Sequence, residues 1–346
     1  MSVNTQVYYV VPHGYDSEMN PVQFSFSGVC EETVFRAPSS PRLLKWIRTA
    51  FGTKQMRSQG ALGPSVLHRP SKIKIASMVA SIFTRNLFER MQIWNSTANL
   101  PDLIFVYDVF HKISDLRSFS CPTAYFVGDA SVSVDRYFEL AQVEDYDYVF
   151  VAQSDYIPAF RKRGCKKVFW LPFGFNPEIF DIPQPEFKYD YCFVGRPYSD
   201  RMKRLQKVRE RCGMFKSFIG HSSDMRATVT LLKQSRAAIQ MSVGGVLGQR
   251  IFEILAAGPL LVADKVSNGL LDLFKDGEHL VCYSTDHELA EKMVYYLENE
   301  EERARIARAG QMEAMTKHTV AHRAKFVLET CLGQRTAAAP LLEVKA

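Results

Sequence analysis

A glycine-rich stretch at residues 242–263, SVGGVLGQRIFEILAAGPLLVA, combines residue types that bind phosphate groups. Three glycines come directly before a predicted helix: Gly244, Gly245 and Gly248. At a helix N-terminus, free N–H groups and the helix dipole attract anions, and glycine lets a phosphate approach the backbone closely. Arg250, in the first turn, would add a charge-assisted contact to a phosphate. Glu253 lies on the same helical face and would accept hydrogen bonds from ribose hydroxyls.

The same stretch fits a simpler interpretation, in which Arg250 and Glu253 form an i,i+3 ion pair on an ordinary core helix. Its position in the chain therefore matters. Other candidate residues stand where predicted strands end: Gly195 and Arg196 after a strand at 189–195, and His13, Asp108, His111 and Asp129 after strands in the N-terminal half. Because the carboxyl ends of parallel strands meet at one edge of a sheet, we expect these residues to converge there. His13 or Asp129 is the candidate general base.

Strand-like and helix-like segments alternate along most of the 346 residues. This pattern predicts an α/β protein with two Rossmann-like parallel-sheet domains that face a cleft. Four prolines in WLPFGFNPEIFDIPQPEFK, which breaks both helix and strand, predict an interdomain linker. The expected boundaries are an N-terminal domain at 1–170, a linker at 171–188, a C-terminal domain at 189–317, a last helix at 318–333 and a disordered tail at 334–346.

Charge is unevenly distributed, although the net charge of the chain is only +6. Residues 35–92 hold eleven Lys and Arg residues against one acid, Glu89. Such a segment would attract a polyanionic acceptor, and the candidate contact residues are Arg42, Lys45, Arg48, Lys72 and Lys74. Two alternatives remain open: a solvated surface, or an amphipathic stretch at 40–51 that lies on anionic lipid.

Several classes of site are disfavoured by the sequence. Seven dispersed cysteines without CxxC or CxxH spacing indicate reduced thiols. Without a visible signal peptide or a long apolar run, the expected location is the cytoplasm, with the inner membrane surface or an infected host cell as variants. The D-x-D sequence at 145–147, a pattern that can bind a divalent metal, precedes a strand. It should therefore lie at the edge of the sheet opposite the edge where the candidate residues converge. The HTVAH sequence at 318–322 lacks a third ligand, so we expect helix packing and no metal site.

The C-terminal half resembles the C-terminal domain of GT-B glycosyltransferases, in the CgeB-like spore-maturation group of the glycosyl transferases group 1 superfamily. The matching segments are YDYCFVG, QRIFEILAAGPLLVAD with LLDLFKDGEHLVCY, DHELAEKMVYYLENEEERARIARAG and HTVAHR. They follow one another in the right order, and this makes the resemblance more specific than any single motif. It is strongest over residues 189–323, and the first 95 residues show none.

The resemblance implies a metal-independent enzyme that transfers a hexosyl or pentosyl group from a nucleotide sugar, with a UDP-sugar favoured and no further cofactor. It implies that Arg250 contacts the donor diphosphate, Glu253 the ribose, and the loop at Gly195 and Arg196 a phosphate. It also implies that the last helix crosses back to the N-terminal domain. Many retaining relatives carry an acid eight positions before Glu253, where this chain has Gly245, so that motif leaves the stereochemistry open.

Three acceptor classes fit these features. The first is a cell-surface glycan or lipid-linked sugar, the second is a hydroxymethylated base in phage DNA, and the third is a protein or a small molecule. The basic segment at 35–92, with Trp46, Phe51 and Trp94 interspersed, motivates the DNA acceptor. A different class of function also fits, namely a non-catalytic protein that binds DNA or an anionic membrane on a GT-B frame.

Overall fold

Two parallel β-sheets follow one another along the chain. The computed structural model describes residues 6–12, 29–37, 101–110, 112–113, 116–131, 133–222 and 224–333. His13, His111, the five basic candidates between residues 42 and 74, and the tail at 334–346 lie outside these described residues.

The first sheet has the strand order β2-β1-β3-β4-β5-β6, and every pairing in it is parallel. Its strands are β1 (Gln6–Pro12), β2 (Glu31–Ala37), β3 (Leu103–Tyr107), β4 (Thr123–Val127), β5 (Tyr148–Val151) and β6 (Val168–Trp170). Strands β3 and β4 are buried at every position, as continuous apolar runs in parallel sheets should be. Strands β2 and β6 were not expected from the sequence.

The second sheet has the order β11-β10-β9-β7-β8 and is also parallel throughout. Its strands are β7 (Tyr189–Val194), β8 (Ser217–Gly220), β9 (Ser235–Gln240), β10 (Leu260–Asp264) and β11 (Val281–Tyr283). In each sheet the chain reverses its direction of growth beside the first strand, so the switch points lie between β1 and β3 and between β7 and β9. Ligands bind at such points in open α/β sheets.

Helices connect these strands. They are α1 (Val134–Arg136), which continues into a π-helical turn (Tyr137–Ala141), α2 (Ile157–Lys162), α3 (Pro177–Phe180), α4 (Ser199–Arg211), α5 (Met225–Lys233), α6 (Gln249–Ala257), α7 (Leu270–Leu273), α8 (Asp286–Glu298), α9 (Glu300–Lys317) and α10 (Val320–Leu332). Of the helices described here, none has the length and apolar character needed to cross a membrane.

The segment between the two sheets is not wholly irregular, and in this respect the sequence prediction was wrong. Pro177–Phe180 forms one helical turn, because the Asn176 side chain accepts a hydrogen bond from the Glu178 N–H and Pro177 occupies the first helical position. Phe180 then packs edge-on against Phe175 in the core, with the ring centroids 5.3 Å apart.

The last helix crosses back to the first sheet. In α10, Ala324, Val327 and Leu328 pack in a cluster with the phenylalanines of β3, β4 and β5. Arg323 is buried at the crossing, where its Nε donates to the carbonyls of Pro172 and Phe173 at 3.0 and 3.2 Å. Such buried charge-assisted bonds tie the linker backbone to the crossing helix.

Candidate functional site

The Ser242–Gly248 loop, which we call the glycine loop, follows β9 at the switch point of the second sheet. Its start is fixed by Asp264 at the end of β10, whose two carboxylate oxygens each lie 2.9 Å from the Ser242 N–H. The Ser242 hydroxyl donates to the same carboxylate. Farther along, the buried Asn268 side chain donates to the Gly245 carbonyl at 3.1 Å and accepts from the Leu247 N–H at 2.5 Å.

Between these anchors the loop turns through two residues in the left-handed region, Gly244 and Gly245, both with φ near 69°. A side chain at either position would be strained, so glycine is required there. Within the part of the chain that the structure describes, the N–H groups of Gly244, Gly245 and Gly248 have no hydrogen-bond partner. Gly248 is the N-cap of α6 and provides no side-chain cap. The loop therefore offers several free N–H donors beside a helix N-terminus, an arrangement that binds anions.

Arg250 and Glu253 contact each other. Arg250 Nη1 lies 2.6 Å from Glu253 Oε2, and the Glu253 side chain is only 6% exposed. Burial raises the pKa of Glu253, and the Arg250 charge partly opposes that effect. The ion pair of the simpler interpretation is thus present, at the first two turns of the helix that the glycine loop enters. Because this ion pair lies beside the free N–H groups, its role in binding a ligand can be tested.

Gly195 and Arg196 follow β7, the other strand of the same switch point. The Gly195 N–H donates to the Gly220 carbonyl at 2.9 Å, and Arg196 is exposed. Sequence reasoning missed a third cation, Arg201 on α4. Its Nη2 donates to the Met241 carbonyl directly before the glycine loop, and its guanidinium lies 5.7 Å from the centre of the Phe193 ring.

In the first sheet, Asp129 follows β4 and is exposed. Its Oδ1 accepts a hydrogen bond of 2.6 Å from the Ser131 hydroxyl. An ideal Cβ at Gly244 would lie 3.8 Å from Ser131 Oγ, in ordinary van der Waals contact. The Gly128–Ser131 loop of the first sheet therefore meets the glycine loop of the second sheet, and the sequence had predicted that these two strand ends face one cleft.

Asp108 follows β3 at the switch point of the first sheet. It adopts φ 51°, in the left-handed region that non-glycine residues rarely occupy. Its Oδ1 accepts hydrogen bonds from the Gly128 N–H at 3.1 Å and the Tyr137 hydroxyl at 2.8 Å. Burial raises the pKa of Asp108, while these two hydrogen bonds oppose the shift.

Two motifs with metal-binding spacing serve other purposes. Asp147 accepts hydrogen bonds from the backbone and hydroxyl of Thr123, and Asp145 pairs with Arg117 at 3.0 Å, all at the amino ends of β4 and β5. His318 packs on Phe274 and contacts Arg323, and His322 completes the capping box of α10. Among the described residues, no group of three or more His, Cys, Asp or Glu side chains is placed to hold a metal.

Comparisons with known proteins support the fold described above. Residues 191–329 match the family model described as glycosyl transferase-like. A search of curated proteins gave no match. Anabaena HepE, solved in complex with UDP and glucose, superposes with a TM-score of 0.56 at 13% identity, over 96% of this chain and 100% of that one.

Sucrose-phosphate synthase from Thermosynechococcus elongatus superposes with a TM-score of 0.55 at 11% identity, over 94% of this chain and 98% of that one. A glycosyltransferase from Rickettsia africae gives 0.51 at 10% identity, over 95% and 98%. The chain therefore has the GT-B fold, with two parallel-sheet α/β domains, and its C-terminal domain matches a glycosyl transferase-like family model.

Proposed function

We propose that this protein is a glycosyltransferase that moves a sugar from a nucleotide sugar, with a UDP-sugar favoured, to a hydroxyl acceptor. The observation that carries the proposal is the glycine loop, whose free N–H groups stand beside the uncapped N-terminus of α6. A leaving nucleoside diphosphate gains negative charge in the transition state, and preorganised donors stabilise that charge. The family match and the fold shared with HepE, which was solved with UDP and glucose, support the same donor class.

In this proposal the cations near the glycine loop assist the N–H groups. Arg250 contacts the diphosphate, Glu253 accepts from the ribose, and Gly195 and Arg196 line the phosphate side. The donor is held without a metal, because Asp145 and Asp147, the D-x-D candidates, are engaged at the other edge of their sheet. Addition of EDTA should accordingly leave UDP binding unchanged.

Asp129 is the proposed base that removes the proton of the acceptor hydroxyl as the sugar is transferred. It is exposed and follows β4, and its neighbour Ser131 approaches the glycine loop. Its place across the cleft from the proposed diphosphate donors supports this assignment. His13 stays the alternative base predicted from the sequence.

The donor assignment is tested by calorimetric titration of UDP and uridine into wild-type, Arg250→Gln and Glu253→Gln proteins. A ligand that binds only the folded state also raises its melting temperature, so thermal shift gives a second readout. Glu253→Gln should weaken uridine and UDP alike, by about tenfold, because the ribose is common to both. Arg250→Gln should weaken only UDP.

The control for this test is Glu300→Gln, which removes the carboxylate of another i,i+3 pair, with Arg303 on α9. Unchanged affinities in both α6 variants would remove Arg250 and Glu253 from the donor site. A wild-type protein that binds no nucleoside diphosphate and hydrolyses no nucleotide sugar would overturn the proposed function. Binding to DNA or vesicles in that case would favour the non-catalytic alternative.

For the acceptor, the excess of basic residues at 35–92 favours a polyanion, either hydroxymethylated DNA or an anionic glycan or lipid-linked sugar. The two are separated by retention on duplex DNA across a salt series. Phosphate contacts make DNA affinity fall steeply with salt, so absence of retention at low salt would remove DNA from the candidates.

A further inference from the structure

The Gly128–Ser131 loop is held by an unusual number of side chains. Three consecutive backbone N–H groups each donate to a side chain from elsewhere in the fold: Gly128 to Asp108 at 3.1 Å, Asp129 to Tyr137 at 3.0 Å, and Ala130 to Gln153 at 3.1 Å. Gln153 also donates its Nε2 to the Gly128 carbonyl at 2.8 Å. Turns more commonly close with backbone hydrogen bonds of their own.

These three supports come from different elements, and two of them are almost inaccessible to solvent. Asp108 follows β3, Tyr137 opens the π-helical turn after α1, and Gln153 follows β5. Tyr137 is fully buried and Gln153 is 1% exposed. The loop is thus fastened to both neighbouring strands and to the helix that follows it, so that its conformation is fixed by the core of the domain.

The arrangement also carries a conformational cost. Asp108 has a positive φ of 51°, a region in which a non-glycine residue is strained. A Cβ at Gly128 would lie 3.0 Å from Asp108 Oδ2, which is tight enough to displace the carboxylate. Backbone strain of this kind persists where the surroundings over-determine it, and such places cluster at functional sites.

The hydrogen bonds run in one direction through the cluster. Burial raises the pKa of Tyr137, so its hydroxyl stays protonated. This hydroxyl donates its one hydrogen bond to Asp108. The Tyr137 oxygen then accepts from the Asp129 N–H. Of the described residues, only Ser131 donates a hydrogen bond to the Asp129 carboxylate, and Asp129 is the exposed residue of this loop.

We propose that Asp108, Tyr137 and Gln153 are positioning residues, which fix the Gly128–Ser131 loop so that the Asp129 carboxylate faces the acceptor hydroxyl across from the glycine loop. They touch neither donor nor acceptor and act only through the loop. This inference rests on the proposed function and adds the residues that determine the rate of its transfer step.

Tyr137→Phe tests the inference, because it removes one hydroxyl that serves two partners. The matched control is Tyr146→Phe. Both tyrosines are buried and pack edge-on against the Tyr125 ring, with centroids 6.1 and 5.1 Å away, but the Tyr146 hydroxyl has no hydrogen-bond partner among the residues that the structure describes. The assay is UDP release from a panel of UDP-sugars, with water or the acceptor present. Amide hydrogen exchange over residues 128–131 provides a readout that needs no substrate.

We expect kcat of Tyr137→Phe to fall by about 10- to 100-fold, because small displacements of a reacting group cost that much. KM for the donor should change less than twofold, exchange at 128–131 should accelerate, and Tyr146→Phe should match wild type in every measurement. Gln153→Met, which removes two hydrogen bonds at similar volume, should repeat the kcat effect and replaces Tyr137→Phe if that variant does not fold.

Equal kcat in the active wild type, Tyr137→Phe and Tyr146→Phe would overturn the positioning role and leave the proposed function standing. A change in donor KM as large as the change in kcat would also overturn it, because the supports would then act on the donor site. A wild-type protein that releases UDP from no member of the panel would overturn the proposed function, and this inference with it.

Discussion

The two loops that meet across the cleft are built in opposite ways. In the Gly128–Ser131 loop, three successive N–H groups are occupied by side chains, and the exposed group is the carboxylate of Asp129. In the glycine loop, side chains hold the Ser242 N–H, the Gly245 carbonyl and the Leu247 N–H, whereas the N–H groups of Gly244 and Gly245 have no partner among the described residues. One loop therefore presents an acceptor of protons, and the other presents donors of hydrogen bonds.

This difference matches the two charged products that glycosyl transfer would create, the leaving diphosphate and the proton of the acceptor hydroxyl. A leaving diphosphate needs free N–H groups, whereas a carboxylate that takes a proton works best when few donors stabilise its anion. If the loop around Asp129 also had free N–H groups pointing at the carboxylate, its basicity would fall. Separating the two kinds of loop onto two domains keeps each electrostatic environment distinct.

The largest effect should come from the carboxylate side. Asp129→Asn keeps the shape of the side chain and removes its ability to take a proton, so turnover should fall by about 10²- to 10⁴-fold. UDP affinity, which depends on the other loop, should stay within twofold. Steady-state kinetics and UDP titration measure the two quantities separately.

Asp135→Asn is the control for this change. Asp135 is an exposed carboxylate in the same domain and pairs with Arg163 on the surface. Its replacement should alter neither quantity. If Asp129→Asn retained a third or more of wild-type turnover, Asp129 would not be the base, and His13 would become the first candidate to replace.

Much of this comparison could be predicted from the sequence, because it depends on local patterns. Buried parallel strands are short apolar runs, and polar or glycine residues mark their ends, so the positions of Asp129 and Gly195 were predicted from strand ends. The glycine loop was predicted from its three glycines before a helix. The contact of Arg250 with Glu253 was likewise foreseen as one of two interpretations, since their spacing of three residues places them on one helical face.

The supports of both loops could not be predicted in the same way. Tyr137, Gln153 and Asn268 reach loops at least eight residues away, and their partners are backbone groups that carry no sequence signal. The short strand β6 was missed for a related reason, since three residues are too few to show a period. Long-range pairing, not local propensity, decides these positions.

The stability of the protein should depend on pH through one buried histidine, His318. His318 lies at the crossing between the domains, with Arg323 Nη2 2.8 Å from its Nδ1, and burial followed by the Arg323 charge lowers the pKa of His318 to about 2. Its other charged and titratable neighbours are Lys317, His322 and His279.

In the unfolded chain this histidine titrates near its ordinary pKa of 6.5. Below that pH the unfolded state binds one more proton than the folded state, so stability falls by up to about 1.4 kcal/mol per pH unit as the pH decreases toward 2. Urea unfolding of wild type and His318→Gln at pH 7 and pH 5 measures this. The variant should lose about 2 kcal/mol less than wild type between these pH values. Equal losses would show that His318 does not titrate in this way.

The backbone of the glycine loop can be tested separately from the side chains around it. Gly245→Ala and Gly277→Ala each place a Cβ in open space at a positive φ, of 69° and 75°, so each should cost about 1 to 2 kcal/mol of stability. Gly277 precedes β11 at the opposite edge of the sheet. Only Gly245→Ala should weaken UDP binding, by about tenfold, because only that loop presents its N–H groups to the ligand. Equal UDP affinity in the two variants would place the diphosphate elsewhere.

The smallest effect should come from Ser131, where the two loops meet. Its hydroxyl donates to Asp129 at 2.6 Å on a solvent-exposed surface, and such a bond contributes about 1 kcal/mol. Ser131→Ala should therefore change turnover by no more than about fivefold, and the direction is informative. If the hydroxyl orients Asp129, turnover falls, whereas if it mainly weakens the carboxylate as a proton acceptor, turnover rises. Ser222→Ala, which removes an exposed hydroxyl that donates to the Asp224 carbonyl, is the control and should leave turnover unchanged. Equal turnover in Ser131→Ala and this control would mean that the two loops lie next to each other without coupling their chemistry.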